Sequence, residues 1–152
     1  MTLPAPFTAL GTFVHTPKRG LLEIIERGLV SVDPSGAISD VIAPGEARYA
    51  AVSEQASASN QLVEGGPDSL FLPGMVDLHI HAPQWPQLGQ ALHLPLDQWL
   101  NEYTFPLEAR FADPALARAV YPELVQTLLA NGTTTGVYFS SIHQKASEIL
   151  AK

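Results

Sequence analysis

The sequence predicts an α/β chain in which a small antiparallel β-sheet precedes a parallel strand–helix–strand unit. Three observations predict it. Short β-branched runs separated by turn residues extend from Phe7 to about Ala43. A compact apolar run then follows the Pro73-Gly74 pair, and an apolar residue at every fourth position from Leu116 to Leu128 leads into a second β-rich run.

Composition bounds the chemistry. The 152 residues allow about one domain of ordinary size. With 46% hydrophobic and 15% charged residues the chain can build a core and is not intrinsically disordered. Eight Lys and Arg stand against 15 Asp and Glu, a formal charge of −7, and no basic stripe interrupts that balance. That balance argues against phosphate-backbone binding, which needs clustered cations. The absence of cysteine excludes disulfides, thiolate catalysis and Cys-ligated zinc. The start, Met1-Thr2-Leu3-Pro4-Ala5-Pro6, lacks the basic and apolar regions of a secretory signal, and no apolar run approaches the ~20 residues of a bilayer span. The expectation is a soluble cytoplasmic protein without nucleic-acid or membrane partners.

The elements follow in order. Thr12 to His15, Leu21 to Ile25 and Leu29 to Val32 read as strands. Asp33-Pro34-Ser35-Gly36 is a turn, since Pro presets φ and Gly accepts positive φ, and a fourth strand runs from Ala37 to Ile42. Pro44 to Asp68 reads as a surface connector with at most one short helix near Ala47 to Gln55. Met75 to Ile80 has the apolar content of a strand buried on both faces. A Gln/Pro-rich loop, Ala82 to Pro95, leads to a helix from Leu96 to about Tyr103. Asp113-Pro114 caps the next helix, whose apolar face is Leu116, Val120, Leu124 and Leu128, widened by Ala117, Val125 and Leu129. Pro122 inside it predicts a kink, Asn131-Gly132 closes it, Thr133 to Phe139 is a second buried strand, and a last helix starts near Gln144.

The sharpest chemical feature is Asp77-Leu78-His79-Ile80-His81. Alternate residues of a strand point to one face, so His79 and His81 project side by side with Asp77 on the same side. Two imidazoles so placed supply two of the three or four ligands that zinc requires, with Asp77 as an outer acceptor for a ring or as a structural acceptor. Five histidines would produce some His-x-His by chance in about one such chain in six, so spacing alone is weak. Burial strengthens it, since unpartnered imidazoles in an apolar strand cost about 1–3 kcal/mol each. Metal ligation and a hydrogen-bonded pair both stand as readings. Gln84 offers an acceptor and a donor suited to a heterocycle edge, or is a solvated loop residue. Trp85, Trp99 and Phe105 are pocket walls or packing residues. His15 and His93 read as surface residues, and His143 stands at the strand end where α/β sites lie.

These residues carry a resemblance. Leu72 to His81, with its Pro-Gly-x-Val-Asp-x-His-x-His pattern, resembles the first barrel strand of the amidohydrolase superfamily. Within that superfamily, His79 to Gln84, Leu94 to Leu100, Tyr103 to Phe111, Asn131 to Thr135, Tyr138-Phe139 and Ile142-His143 are similar to the guanine deaminases. The stretch Thr-Phe-Pro-x-Glu-x-Arg-Phe separates the chain from hydantoinases, chlorohydrolases and cytosine deaminases. The resemblance implies a small N-terminal β-domain over 1–70, followed over 71–152 by the first two βα units of an incomplete metal-dependent (β/α)8 barrel. It also implies hydrolysis of guanine to xanthine and ammonia through a zinc-activated water attacking C2, as part of purine catabolism. His79 and His81 carry over as ligands of one Zn2+ per site, and His81, Ala82, Pro83 and Gln84 as the guanine-contacting segment. The cytidine-deaminase type of zinc site, built on Pro-Cys-x-x-Cys, cannot occur without cysteine.

A barrel of this kind takes ~250 residues, whereas 77 follow Met75, room for two of eight strands. The resemblance therefore places the remaining metal ligands and the general acid/base outside this sequence, with no catalytic residue within it, and implies a homodimer for the full-length family member. The alternative expectation is an inactive fragment serving as a binding or assembly module.

Overall fold

The computed structural model describes residues 4–152, so Met1–Leu3 of the segment read for a leader lie outside the described residues. The chain forms two compact units that divide at Pro73/Gly74.

In the first unit, β1 (Phe7–Lys18) and β2 (Leu21–Val32) form one long antiparallel hairpin pairing Leu10 with Leu29 and Lys18 with Leu21. The sequence reading divides β2 in two at Glu26-Arg27-Gly28. The strand instead continues through a bulge: the register steps from Gly11↔Gly28 to Phe13↔Ile25, and Arg27 takes φ +51 to absorb the extra residue. β3 (Ile38–Ile42) adds antiparallel to β2. After α1 (Tyr49–Ala58), β4 (Leu62–Glu64) and β5 (Leu70–Phe71) both pair parallel to β1, so the mainly antiparallel sheet has two parallel members, β4 inside the expected connector and β5 just beyond it. Strands of three and two residues carry no periodicity from which to read them. Leu10, Leu29 and Ile42 form the buried core, with Tyr49, Val52 and Leu62 packed against it.

The turn before β3 is closed by a side chain. Asp33 Oδ1 accepts from Ser35 N at 2.8 Å, from Ala37 N at 3.1 Å and from the Ser35 hydroxyl. The Ser35 hydroxyl first, then the Ala37 amide, hold the Asp33 carboxyl below its ordinary range. A depressed carboxyl pKa contributes stability above the unfolded value and loses it as pH falls through the folded value. In urea titrations, the stability advantage of wild type over Asp33→Asn is therefore expected at neutral pH and should vanish in acid below the usual carboxylate range.

In the second unit, β6 (Met75–His81) and β7 (Thr133–Phe139) pair in parallel, with Met75 opposite Thr133 and His81 opposite Phe139. A side chain at Gly74 would collide with Thr134, so the Pro-Gly entry lets the chain pass close to β7. The predicted loop after β6 begins with a 3₁₀ helix, Ala82–Gln87. The helix expected to stop near Tyr103 continues: α2 (Leu96–Trp99), a π-helical turn (Leu100–Thr104), α3 (Phe105–Ala109) and a 3₁₀ turn (Arg110–Ala112) follow without a break. Pro106 directly follows the π-helical turn, where the backbone hydrogen-bond register of the run shifts.

Asp113 caps α4 (Pro114–Ala130), its carboxylate accepting from Ala115 N at 2.8 Å. Asp113→Ala is expected to lower unfolding free energy by ~1 kcal/mol in a urea titration. α4 runs as one helix through Pro122, which is exposed, and closes at Asn131 before Gly132 at φ +87. α5 (Gln144–Leu150) completes the unit. The core consists of Ala82, Phe111, Ala117, Tyr121, Leu124 and Ala146. The predicted apolar stripe is thus rotated: Tyr121, outside it, is buried, while Leu129 lies exposed.

One expectation is overturned. β6 is not buried on both faces: Val76 and Leu78 are 61% and 68% exposed, and of the strand only Ile80 is buried. Ile80 is covered because its side chain lies over Gly136, which has none. β7 is likewise open, with Val137 and Phe139 exposed. A strand with one neighbour has no second layer over the rest of its length, whatever its apolar content. Among the described residues no helix is long and apolar enough to cross a membrane.

Candidate functional site

The two strand histidines share one face, as the period of two dictates. His79 Nε2 and His81 Nε2 lie 2.8 Å apart, a direct hydrogen bond in which both rings turn the same nitrogen toward each other, as the hydrogen-bonded reading of the pair expects. Their centroids are 4.9 Å apart, and Phe139 of β7 packs against both, 4.5 Å from His79 and 5.1 Å from His81. The parallel register explains this aromatic backing, since Phe139 stands directly opposite His81. Sequence reasoning gave Phe139 no part in the site; strand pairing was the missing signal. Both imidazoles are exposed, contrary to the buried setting expected for them. The cause is the uncovered strand, and the desolvation argument for a metal falls with it, leaving the convergence of the nitrogens.

Asp77 does not reach a ring: its Oδ1 accepts from the His79 backbone N–H at 3.0 Å, the structural alternative. Ala82 and Pro83 are buried and turn the chain off the strand into its 3₁₀ helix. Gln84 on that helix is half-buried rather than a solvated loop residue. Its Nε2 lies 2.9 Å from Glu108 Oε1 and 3.3 Å from His81 Nδ1. Glu108, delivered by α3, had no assigned role, because 24 residues separate it from Gln84 and only the tertiary fold joins them.

The other candidates lie elsewhere. Trp85 packs on the helical core, the Trp99 indole donates to Gln90 O at 3.2 Å, and Phe105 is exposed. His143 precedes α5 with Nδ1 3.0 Å from Ser141 Oγ, and among the described residues no hydrogen bond or ring contact joins it to the pair. His15 faces Glu23 across the hairpin at 2.8 Å, and His93 is exposed. Two converging imidazole nitrogens are suitable donors for zinc, yet among the described residues no group of three or more His, Cys, Asp or Glu side chains assembles to hold a metal. The residues present fit part of such a site.

A parallel βα arrangement with paired histidines at the end of its first strand defines a class. The chain belongs to the amidohydrolase family, whose model matches residues 70–152. Its similarity extends to particular members. It is 39% identical over 151 residues to guanine deaminase of Mus musculus, covering 99% of this chain and 33% of that protein. Against guanine deaminase of Homo sapiens identity is 38% over 141 residues, covering 93% and 31%. The solved guanine deaminase from C. acetobutylicum, with guanine bound in its active site, superposes with a TM-score of 0.78 at 29% identity, over 96% of this chain and 32% of that one. The chain spans about a third of the length of the curated relatives it matches.

Proposed function

We propose that this chain supplies the first metal-binding strand and the purine-contacting turn of a zinc-dependent guanine deaminase. The observation that carries the proposal is the convergence of His79 and His81 on one point at the C-terminal end of β6, in a chain of the amidohydrolase family. The likeness to guanine deaminases across nearly the whole sequence supports the choice of substrate.

The reaction adds water across C2 of guanine, breaks the exocyclic C2–N bond and releases ammonia, leaving the C2 carbonyl of xanthine. Bound zinc would lower the pKa of water toward ~7 and so make a nucleophile available at neutral pH. In this reading His79 and His81 would hold that single ion, with Phe139 packed against both rings. The turn His81-Ala82-Pro83-Gln84 meets the purine, Gln84 by hydrogen bond and the buried Ala82 and Pro83 by setting the path of the chain. Two nitrogens are fewer ligands than zinc takes, so the remaining ligands and the proton-transferring groups come from polypeptide outside these residues. A homodimeric assembly follows from the family resemblance alone.

The exposed apolar strands favour a second reading. Val76, Leu78 and Val137 are exposed apolar side chains that a covering polypeptide would bury, as in an assembly module without activity of its own. The test is to incubate the purified chain with zinc and guanine and to measure bound zinc and released ammonia. The first reading expects one zinc per chain, and ammonia matched by xanthine once the missing part is supplied. A chain that retains no zinc and releases no ammonia under either condition leaves only the module.

A further inference from the structure

We propose that Asn131 is a spontaneous deamidation site that the C-terminal cap of α4 holds shut. Asn131 precedes Gly132, whereas the other two asparagines, Asn60 and Asn101, precede Gln61 and Glu102. In an Asn-Gly pair the glycine backbone nitrogen can attack the asparagine Cγ. The new N–Cγ bond forms, the side-chain amide leaves as ammonia with the proton of the attacking nitrogen, and a five-membered succinimide results. Water then opens either of its carbonyls, giving Asp or isoAsp, and nothing else is consumed. Glycine has no side chain to block the approach.

The folded geometry forbids that attack. Closing the ring needs Gly132 N eclipsed with Asn131 Cβ about the Cα–C bond, yet at ψ 8 it eclipses the Asn131 backbone nitrogen instead. Gly132 N–H donates to Leu129 O at 3.0 Å, and Asn131 Nδ2 donates to Thr127 O at 2.8 Å, which turns the carboxamide back along α4. These contacts all belong to the last turn of one helix, so fraying of that turn releases them together. Asn131 is exposed, so water has access to the succinimide. The product cannot rebuild the cap: a carboxylate has no N–H for Thr127 O and stands at the negative end of the helix. IsoAsp also adds a methylene to the backbone just before β7, where Gly132 O accepts from Met75 N at 2.7 Å. The lesion therefore falls at the root of the β6–β7 pair, whose first strand carries His79 and His81.

The test incubates the chain at mildly alkaline pH in native buffer and in urea that unfolds it, and follows each asparagine by peptide mass spectrometry that separates Asn, Asp and isoAsp. Asn131 is expected to deamidate at least ~10-fold more slowly in native buffer than in urea, with isoAsp among the products. In urea it should outpace Asn60 and Asn101. Equal rates at Asn131 in the two conditions overturn the protection by the cap, and an unfolded Asn131 no faster than Asn60 and Asn101 overturns the site itself. Asn131→Asp, which reproduces one product, should lower the urea midpoint of the second unit. A midpoint equal to that of wild type overturns the claim that the product cannot rebuild the cap. Should Asn131→Asp fail to fold, the wild-type rates in native buffer and urea still decide the proposal.

Discussion

Replacing His81 by alanine is expected to weaken zinc binding at least ~100-fold, measured by equilibrium dialysis of the purified chain. The size follows from counting donors. Only two imidazole nitrogens converge at this point, 2.8 Å apart, so the change halves the protein's contribution to the site. Loss of a residue that merely orients a metal ligand already costs 10–100-fold in comparable sites, and loss of a ligand should cost no less. His79→Ala should behave alike, and the double variant should be little worse than either single one, because both remove the same two-point grip. His93→Ala, at an exposed position outside the pair, is expected to leave binding unchanged.

The largest effect on stability is expected at Phe111. Its ring is fully buried between α3 and α4, stacked 5.4 Å from the ring of Tyr121, in the core that holds the second unit together. Phe111→Ala should lower the unfolding free energy of that unit by about 3–5 kcal/mol, through lost transfer energy and the cavity left behind. Since single domains are stable by only about 5–15 kcal/mol, the variant should sit at or near unfolding at 37 °C, visible as an early transition by circular dichroism. Tyr121 should respond differently. Its hydroxyl is buried beside Ser140 without a well-formed hydrogen bond, and burial pushes its phenol above the ordinary range despite that neighbour. Tyr121→Phe removes that unsatisfied group and keeps the ring, so it is expected to be neutral or stabilising.

What could be read in the sequence follows from how local each feature is. The shared face of His79 and His81 was legible because the two-residue period of a strand is a property of the backbone. The Asp113 cap and the Gly132 close were legible for the same reason, each resting on a few consecutive residues. Features that depend on pairing were not. β4 and β5 exist because β1 offers them an edge, and Phe139 backs the histidines because the register sets it opposite His81. Glu108 reaches Gln84 only through the run of helical turns from Leu96 to Ala112. Burial of β6 failed as an expectation because burial is decided by what covers a strand, and composition shows only what would benefit from cover.

The direct test of a shared cation is a zinc titration followed by the imidazole nitrogen resonances of the 15N-labelled chain. The Nε2 signals of His79 and His81 should move together and saturate at one zinc per chain, while those of His15, His93 and His143 stay where they are. A shift at only one of the two, or one spread evenly over all five histidines, would contradict the account.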